Sequence, residues 1–241
     1  MARRKKALLA SSMSSKFFNN TESPLFDKFS GIARSMACFD IFHAVVGYFR
    51  SSGYFRLRKE LSGVNEIRVL VGISIDNVFR KAQRAGKMFY GDPDDTLQQY
   101  AASIVDELAT APYSLEVDES VRQFCDDILS GRLELRLHAT KNLHAKFYLC
   151  LPREHNANSD GWVIMGSSNL TGQGLGISEP PRYELNVALK DYDDVSYCEN
   201  EFRRLWDEAL PLTAADLQAA IDCTHLATRQ PTPYELYMRV L

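Results

Sequence analysis

The sequence predicts an α/β fold, a mixed β-sheet flanked by helices. Three observations carry this. Apolar runs of strand length, rich in β-branched and aromatic residues, alternate with segments of helical spacing through residue 131. Four strand candidates then follow one another up to residue 190. At 241 residues and 45% hydrophobic content, the chain suffices for one large domain, or one domain with a small appendage. Alternation followed by a run of strands is the pattern of a sheet that mixes parallel and antiparallel pairing.

The start, "MARRKKALLASSM", is basic and then briefly apolar. Its apolar part is shorter than the roughly 7–15 residues of a signal-peptide core, so it reads as a frayed basic N-terminus. Residues 1–16 are assigned to that arm, and the polar, Ser/Asn-rich character extends the expectation of flexibility through residue 23. "SPLFDKFSGIARSMA" (23–37) predicts a helix with Ser23 as N-cap and Pro24 in the first turn. "CFDIFHAVVGYF" (38–49) predicts a buried strand, and "SSGYFRLRKELSG" (51–63) a helix ending at Gly63. "NEIRVLVGI" (65–73) is the second strand. Residues 76–111 predict two helices, the second starting after Pro93. "DESVRQFCDDILSG" (118–131) predicts a helix capped by Asp118 and ended by Gly131.

The four later strands are "LELRLHA" (133–139), "NLHAKFYLC" (142–150), "GWVIMGSS" (161–168) and "YELNVALK" (183–190). "DDVSYCENEFRRLWDEAL" (193–210) is an amphipathic helix with Tyr197, Phe202, Leu205 and Trp206 on its apolar side. One domain over 17–210 is expected, with a helical tail over 211–241 that docks or leads into a further domain.

The five cysteines (Cys38, Cys125, Cys150, Cys198, Cys223) are scattered and odd in number, without a CxxC pair. They predict a reduced, cytoplasmic chain without a cysteine zinc site. No apolar run approaches the ~18–20 residues of a membrane helix. Residues 1–90 carry 16 Lys+Arg against 6 Asp+Glu, and residues 91–241 carry 12 against 25. A polyanionic partner near the first part and solvated basic helix faces explain this asymmetry equally well. "GYFRSSGYFRLRK" (47–59) interleaves Tyr48, Phe49, Tyr54 and Phe55 with Arg50, Arg56, Arg58 and Lys59, which suits nucleic acid; buried aromatics at a strand–helix junction are the plainer expectation.

The chemistry concentrates in residues 142–190. In "NLHAKFYLC", His144 and Lys146 stand two apart, which in a strand places them on one face. "GSSNLTGQGLG" (166–176) follows the next strand and offers Ser167, Ser168 and Asn169 as donors among small residues. Glu184 opens the strand after that. If strands 142–150 and 161–168 pair, His144, Lys146, Ser167 and Asn169 converge at one end, with Glu184 from the neighbour. Such a set fits a phosphodiester: Lys146 supplies positive charge, Asn169 and Ser167 neutral donors, and His144 a nucleophilic nitrogen whose other nitrogen needs an acceptor such as Glu184. No metal cluster is visible. His43 and His138 read as core or near-site residues, and His155 with Asp160 is a poor metal pair.

H-x-K followed by GSSN resembles the HKD motif of the phospholipase D superfamily, and "YELNV" resembles the glutamate-bearing strand of its nuclease branch. The wording is most similar to phospholipase D-like domains of bacterial nucleases, restriction enzymes and helicase-associated modules. This resemblance implies His144 as nucleophile, Lys146 and Asn169 as phosphate ligands assisted by Ser167, and Glu184 as the residue that orients His144. It implies no cofactor and no metal. The family uses two histidines, and one motif is recognisable here, so the resemblance implies a homodimer sharing one active site across its two-fold. One departure is plain: the Asp five residues after the Lys is Leu151 here.

Three functions follow from this reading. The first is a metal-independent nuclease acting on DNA, or less readily RNA. The second is a nucleic-acid-binding module of a larger helicase or restriction system. The third, a phospholipase, lacks any amphipathic interfacial helix in its favour. The roughly thirty residues after the core are too few for a sequence-recognition domain, so non-specific cleavage, or targeting by a partner, is expected.

Overall fold

Along the chain the described elements are β1 (Phe17–Asn19), α1 (Leu25–Ser35), β2 (Ile41–Val46), α2 (Ser51–Leu57), β3 (Glu66–Gly72), α3 (Leu115–Leu129), β4 (Leu133–His138), β5 (Phe147–Leu151), β6 (Trp162–Gly166), β7 (Leu185–Leu189), α4 (Tyr192–Asp207) and β8 (Leu210–Leu212). The structure, a computed structural model, describes residues 15–72, 97, 100–104, 115–138, 143–178, 182–213 and 215. The strands form one sheet in the order β1-β7-β6-β5-β2-β3-β4-β8. Strands β2, β3 and β4 pair in parallel, and every other pair is antiparallel. Parallel neighbours need a crossover connection, which α2 supplies between β2 and β3. The mixed sheet flanked by helices is therefore as the sequence predicts.

Strand alternation builds two cores. Phe42, Ala44 and Val46 of β2, Ile67, Val69 and Val71 of β3, and Tyr148 and Cys150 of β5 face one side, where Phe29 of α1 and Tyr54 of α2 pack. Val45, Leu70, Phe147, Leu149 and Leu151 face the other, under Val195, Phe202, Leu205 and Trp206 of α4. Burying both faces explains why β2 reads as an apolar run broken only by His43.

Several boundaries differ from expectation. Helix α1 begins at Leu25 with Pro24, not Ser23, in the cap position. The buried Asn20 side chain takes the capping role, accepting the Leu25 N–H at 3.2 Å. Residues 17–19, expected to be flexible, form β1, because β7 offers them a free edge. Helix α3 starts at Leu115, so Asp118 lies inside it; Gly131, at φ 74°, follows its end as predicted. Tyr197 is 71% exposed and does not share the buried face of α4. The sheet continues past the expected boundary at 210 through β8, whose Pro211 is tolerated on an edge strand. Most of the two helices predicted over 76–111, and most of the tail from residue 213, lie outside the described residues.

Candidate active site

Strand polarity brings the predicted residues to one end of the sheet. The carboxyl ends of β2 and β6 and the amino ends of β5 and β7 lie together there, because β5 and β7 run opposite to their neighbours. This end carries Gly47, Lys146, Ser167, Asn169 and Glu184. The carboxyl edge of parallel strands is where open α/β sheets bind ligands.

His144 and Lys146 do not lie within a strand. Residues 143–146 have no regular secondary structure and lead into β5. His144 is exposed, whereas Lys146 is only 7% exposed, so the pair is split between solvent and interior. The Lys146 ammonium donates to the His144 carbonyl oxygen at 2.7 Å, which ties the histidine's main chain to the lysine. Burial pulls the Lys146 pKa below the ordinary lysine value, and the charge of Glu184 opposes that shift.

Gly47 and Gly72 make room for this segment. A Cβ at Gly47 would lie 3.4 Å from Lys146 Nζ and 3.5 Å from Asn169 Oδ1, so both polar groups converge on its bare face. At Gly72 a Cβ would lie 2.2 Å from the Leu143 carbonyl oxygen, so only glycine lets the His144 segment pass there.

The loop after β6 is fixed from three sides. Phe49 bridges Leu170, and the Arg50 N–H donates to the Leu170 carbonyl at 3.1 Å. The Tyr48 N–H donates to Asn169 Oδ1 at 3.0 Å, which leaves the Asn169 amide nitrogen as the donor toward the site. Buried Ser168 accepts from Tyr148 Oη at its carbonyl (2.9 Å) and from Asn186 Nδ2 at its hydroxyl (3.0 Å). Asn20 donates to the Gly174 carbonyl at 2.7 Å and so ties α1's cap to the same loop.

Ser167 and Glu184 form a second group. The Ser167 hydroxyl donates to Glu184 Oε2 and accepts the Leu185 N–H at 3.1 Å. Arg182 Nε lies 3.5 Å from Glu184 Oε1. Buried Glu184 thus engages Ser167 and Arg182 in this structure. The structure gathers Lys146, Asn169, Ser167 and Glu184 at this end, and ties the main chain of the exposed His144 to Lys146.

Sequence reasoning missed Gly47, Asn20 and Asn186, because each acts through contacts distant in sequence, and Arg182, which acts through its charge beside Glu184. The "GYFRSSGYFRLRK" stretch was the available signal for Gly47. Phe49 and Tyr54 are buried, as expected, and Phe55 packs against the core. Arg58 belongs to structure, pairing with Asp127 at 2.7 Å. By contrast Tyr48, Arg50 and Arg56, with Asn169, Arg182 and Glu184, line a cavity of about 520 Å³ beside the site.

Other candidates fall away from this end. Leu151 is fully buried in the core at the opposite end of β5, where an Asp would meet no part of the site. Exposed Asp160 sits in the β5–β6 connection at that same far end. His43 bonds Glu66 at 2.7 Å and stacks on Phe202; His155 lies 3.2 Å from Glu199. Among the described residues no group of three or more His, Cys, Asp or Glu is arranged to hold a metal ion. Among them, too, no helix is long and apolar enough to cross a membrane.

Residues 66–206 match the family model described as "Cardiolipin synthase, PLD-like domain". The chain belongs to the phospholipase D superfamily. No curated protein matches it. Solved structures similar to it include Nuc from Salmonella typhimurium, a phospholipase D family member, at 10% identity and TM-score 0.44 over 82% of this chain and 96% of that one. Phosphatidylserine synthase from Haemophilus influenzae Rd KW20 is similar at 12% identity and TM-score 0.46, over 90% of this chain and 42% of the synthase. TrmBL2, an archaeal chromatin protein, is similar at 12% identity and TM-score 0.38, over 82% of this chain and 54% of that protein. The chain thus spans about half of the chromatin protein, less than half of the synthase, and nearly all of Nuc. Members of the phospholipase D superfamily are phosphodiester-acting enzymes.

Proposed function

We propose that the protein is a metal-independent phosphodiesterase that cleaves nucleic acid through a covalent phosphohistidine. The observation that carries this reading is the buried Lys146 ammonium, facing a side-chain-free surface beside the Asn169 amide, with no carboxylate in ion-pair contact among the described residues. A buried positive charge held by one carbonyl is stabilised by an incoming anion.

In the proposed cycle a phosphate sits between Lys146 and Asn169. A His144 ring nitrogen attacks phosphorus, and the bond to the leaving oxygen breaks. A second histidine, the partner subunit's His144, gives that oxygen its proton. Water, deprotonated by the same group, then breaks the P–N bond and frees His144. Glu184 is assigned the positioning role, as acceptor for the other nitrogen of His144, and Ser167 assists at the phosphate. Lys146 and Asn169 stabilise the charge that gathers on the non-bridging oxygens.

A homodimer supplies the second histidine. Phe17, Val187 and Met165 stand in cross-strand register on one sheet face, with Leu185 two residues along β7. Phe17 is 64% exposed and Leu185 50%, and Leu185 directly follows Glu184 at the site end. This uncovered apolar margin supports a second copy at that edge. Expected partners are nucleic acid, DNA before RNA, and a helicase or restriction system that delivers it.

One observation favours the binding-only reading: Glu184 engages Ser167 and Arg182 rather than the His144 ring. Trapping separates the two. Rapid mixing with a DNA oligonucleotide, neutral-to-alkaline quench and peptide mass spectrometry is expected to find an oligonucleotidyl adduct on His144, absent in His144→Ala. DNA binding without any adduct or cleavage would leave only the binding module.

A further inference from the structure

We propose that the cavity beside the Lys146–Asn169 pair is a subsite for a single-stranded polynucleotide. Arg50, Arg56 and Arg182 hold the phosphates next to the scissile one, and Tyr48 stacks a base. This deepens the phosphodiesterase reading and rests on it.

Several features of the cavity point the same way. Its volume of about 520 Å³ lies in the range of ligand sites. Among the described residues its walls carry three arginines, Arg50, Arg56 and Arg182, and one carboxylate, Glu184. Arg50 stands at the N-cap of α2 and Arg56 within that helix, while Arg182 comes from the segment before β7. One solvated helix face does not produce that convergence.

Tyr48 adds a flat surface. Tyr48 is 43% exposed, and the Arg50 guanidinium lies 5.2 Å from its ring centroid. A tyrosine with an arginine against it is a stacking platform that accepts any base.

Asn169 and Glu184 line this cavity and also belong to the catalytic group. Whatever fills it is therefore continuous with the phosphate at Lys146. Among the described residues Ile177 is the one aliphatic side chain on the walls, so acyl chains find little there. A duplex keeps its bases stacked inside and presents phosphates on a convex surface. A base laid on Tyr48 in a concave cavity must be unpaired.

Anisotropy in the His144→Ala background tests this with fluorescein-labelled dT12, rU12 and the dT12·dA12 duplex. The single strand is expected to bind at least tenfold tighter than the duplex. Arg56→Gln and Arg182→Gln are each expected to weaken dT12 binding several-fold. Each should also reduce the slope of log K against log salt by about 0.7. Tyr48→Ala should cost about tenfold. Arg153→Gln, an exposed charge at the opposite end of β5, controls for net charge and should change little. Equal or tighter duplex binding, unchanged binding by the groove variants, or displacement of dT12 by phosphatidylglycerol vesicles would overturn the proposal. A preference between dT12 and rU12 only settles which polynucleotide fills the same subsite.

Wild-type turnover of bis(p-nitrophenyl) phosphate tests the underlying reading separately. Turnover lost in His144→Ala, with groove variants that bind dT12 like their parent, would end the subsite and keep the phosphodiesterase. The groove pattern without any turnover would do the reverse.

Discussion

Asp127 and Lys146 are both charged side chains taken out of solvent, and their surroundings are opposite. Asp127 accepts from Tyr54 Oη and Arg58 Nε at 2.7 Å, and from Arg132 Nη1 at 3.1 Å. Those bonds tie α2, α3 and the start of β4 together. Lys146 has one carbonyl oxygen and a glycine face. A saturated buried charge is structure. A buried charge left short of partners is a place for a ligand, and the fold spends stability to hold it there.

The comparison breaks most sharply under substitution of the two charges. Lys146→Met should lower turnover about 10²–10³-fold, the cost of removing one stabilising donor from a transition state. Its melting temperature should hold or rise, since an under-partnered buried charge is replaced by an apolar chain. Asp127→Ala should do the opposite, destabilising by about 3 kcal/mol because Arg58 and Arg132 lose their carboxylate. Denaturant unfolding and steady-state kinetics on both variants check the pair.

Gly72→Ala comes next. Its Cβ would lie 2.2 Å from the Leu143 carbonyl, so the His144 segment must shift by about an ångström, a displacement worth about 10²-fold in rate. Kinetics beside a thermal melt should show the rate falling further than stability.

The pH responses also separate the two charges. Burial alone would raise the Asp127 carboxyl, but hydrogen bonds from Arg58, Tyr54 and Arg132 outweigh it, and its pKa ends below the ordinary value. That stabilisation is complete above the unfolded pKa of about 3.9 and is lost as pH falls through the depressed folded value. Lys146, lowered by burial, behaves otherwise. The folded state sheds its proton before the unfolded state does, so its contribution to stability rises with pH up to about 10.4. Phosphate binding is lost over that same interval, as the ammonium deprotonates. The alkaline limb of the rate should therefore fall below the ordinary lysine range, and Lys146→Arg should move it upward.

The smallest effect is expected at Gly47→Ala. The added Cβ makes ordinary contacts at 3.4–3.7 Å, so folding should be untouched and turnover reduced only a few-fold.

Strands β2 to β7 and helix α4 were legible because each has its own period or apolar run. The three-residue strands β1 and β8 were not, since their extended state comes from edges offered by β7 and β4. At the site, His144, Lys146, Asn169 and Glu184 were readable as residue types in order. Alternation alone misplaced His144: the strand begins at Phe147, so the histidine stays in solvent while Lys146 turns inward. Asn20, Asn186 and Arg182 act across 154, 18 and 2 residues of sequence respectively, through hydrogen bonds or charge that no local pattern announces.

The central claim is that His144, set against Lys146 and Asn169, breaks phosphodiesters without a metal. Cleavage of plasmid and single-stranded DNA in excess EDTA, by wild type and His144→Ala, tests it most directly. The account predicts cutting by the wild type and none by the variant. Cutting that EDTA abolishes, or that survives in His144→Ala, would contradict it.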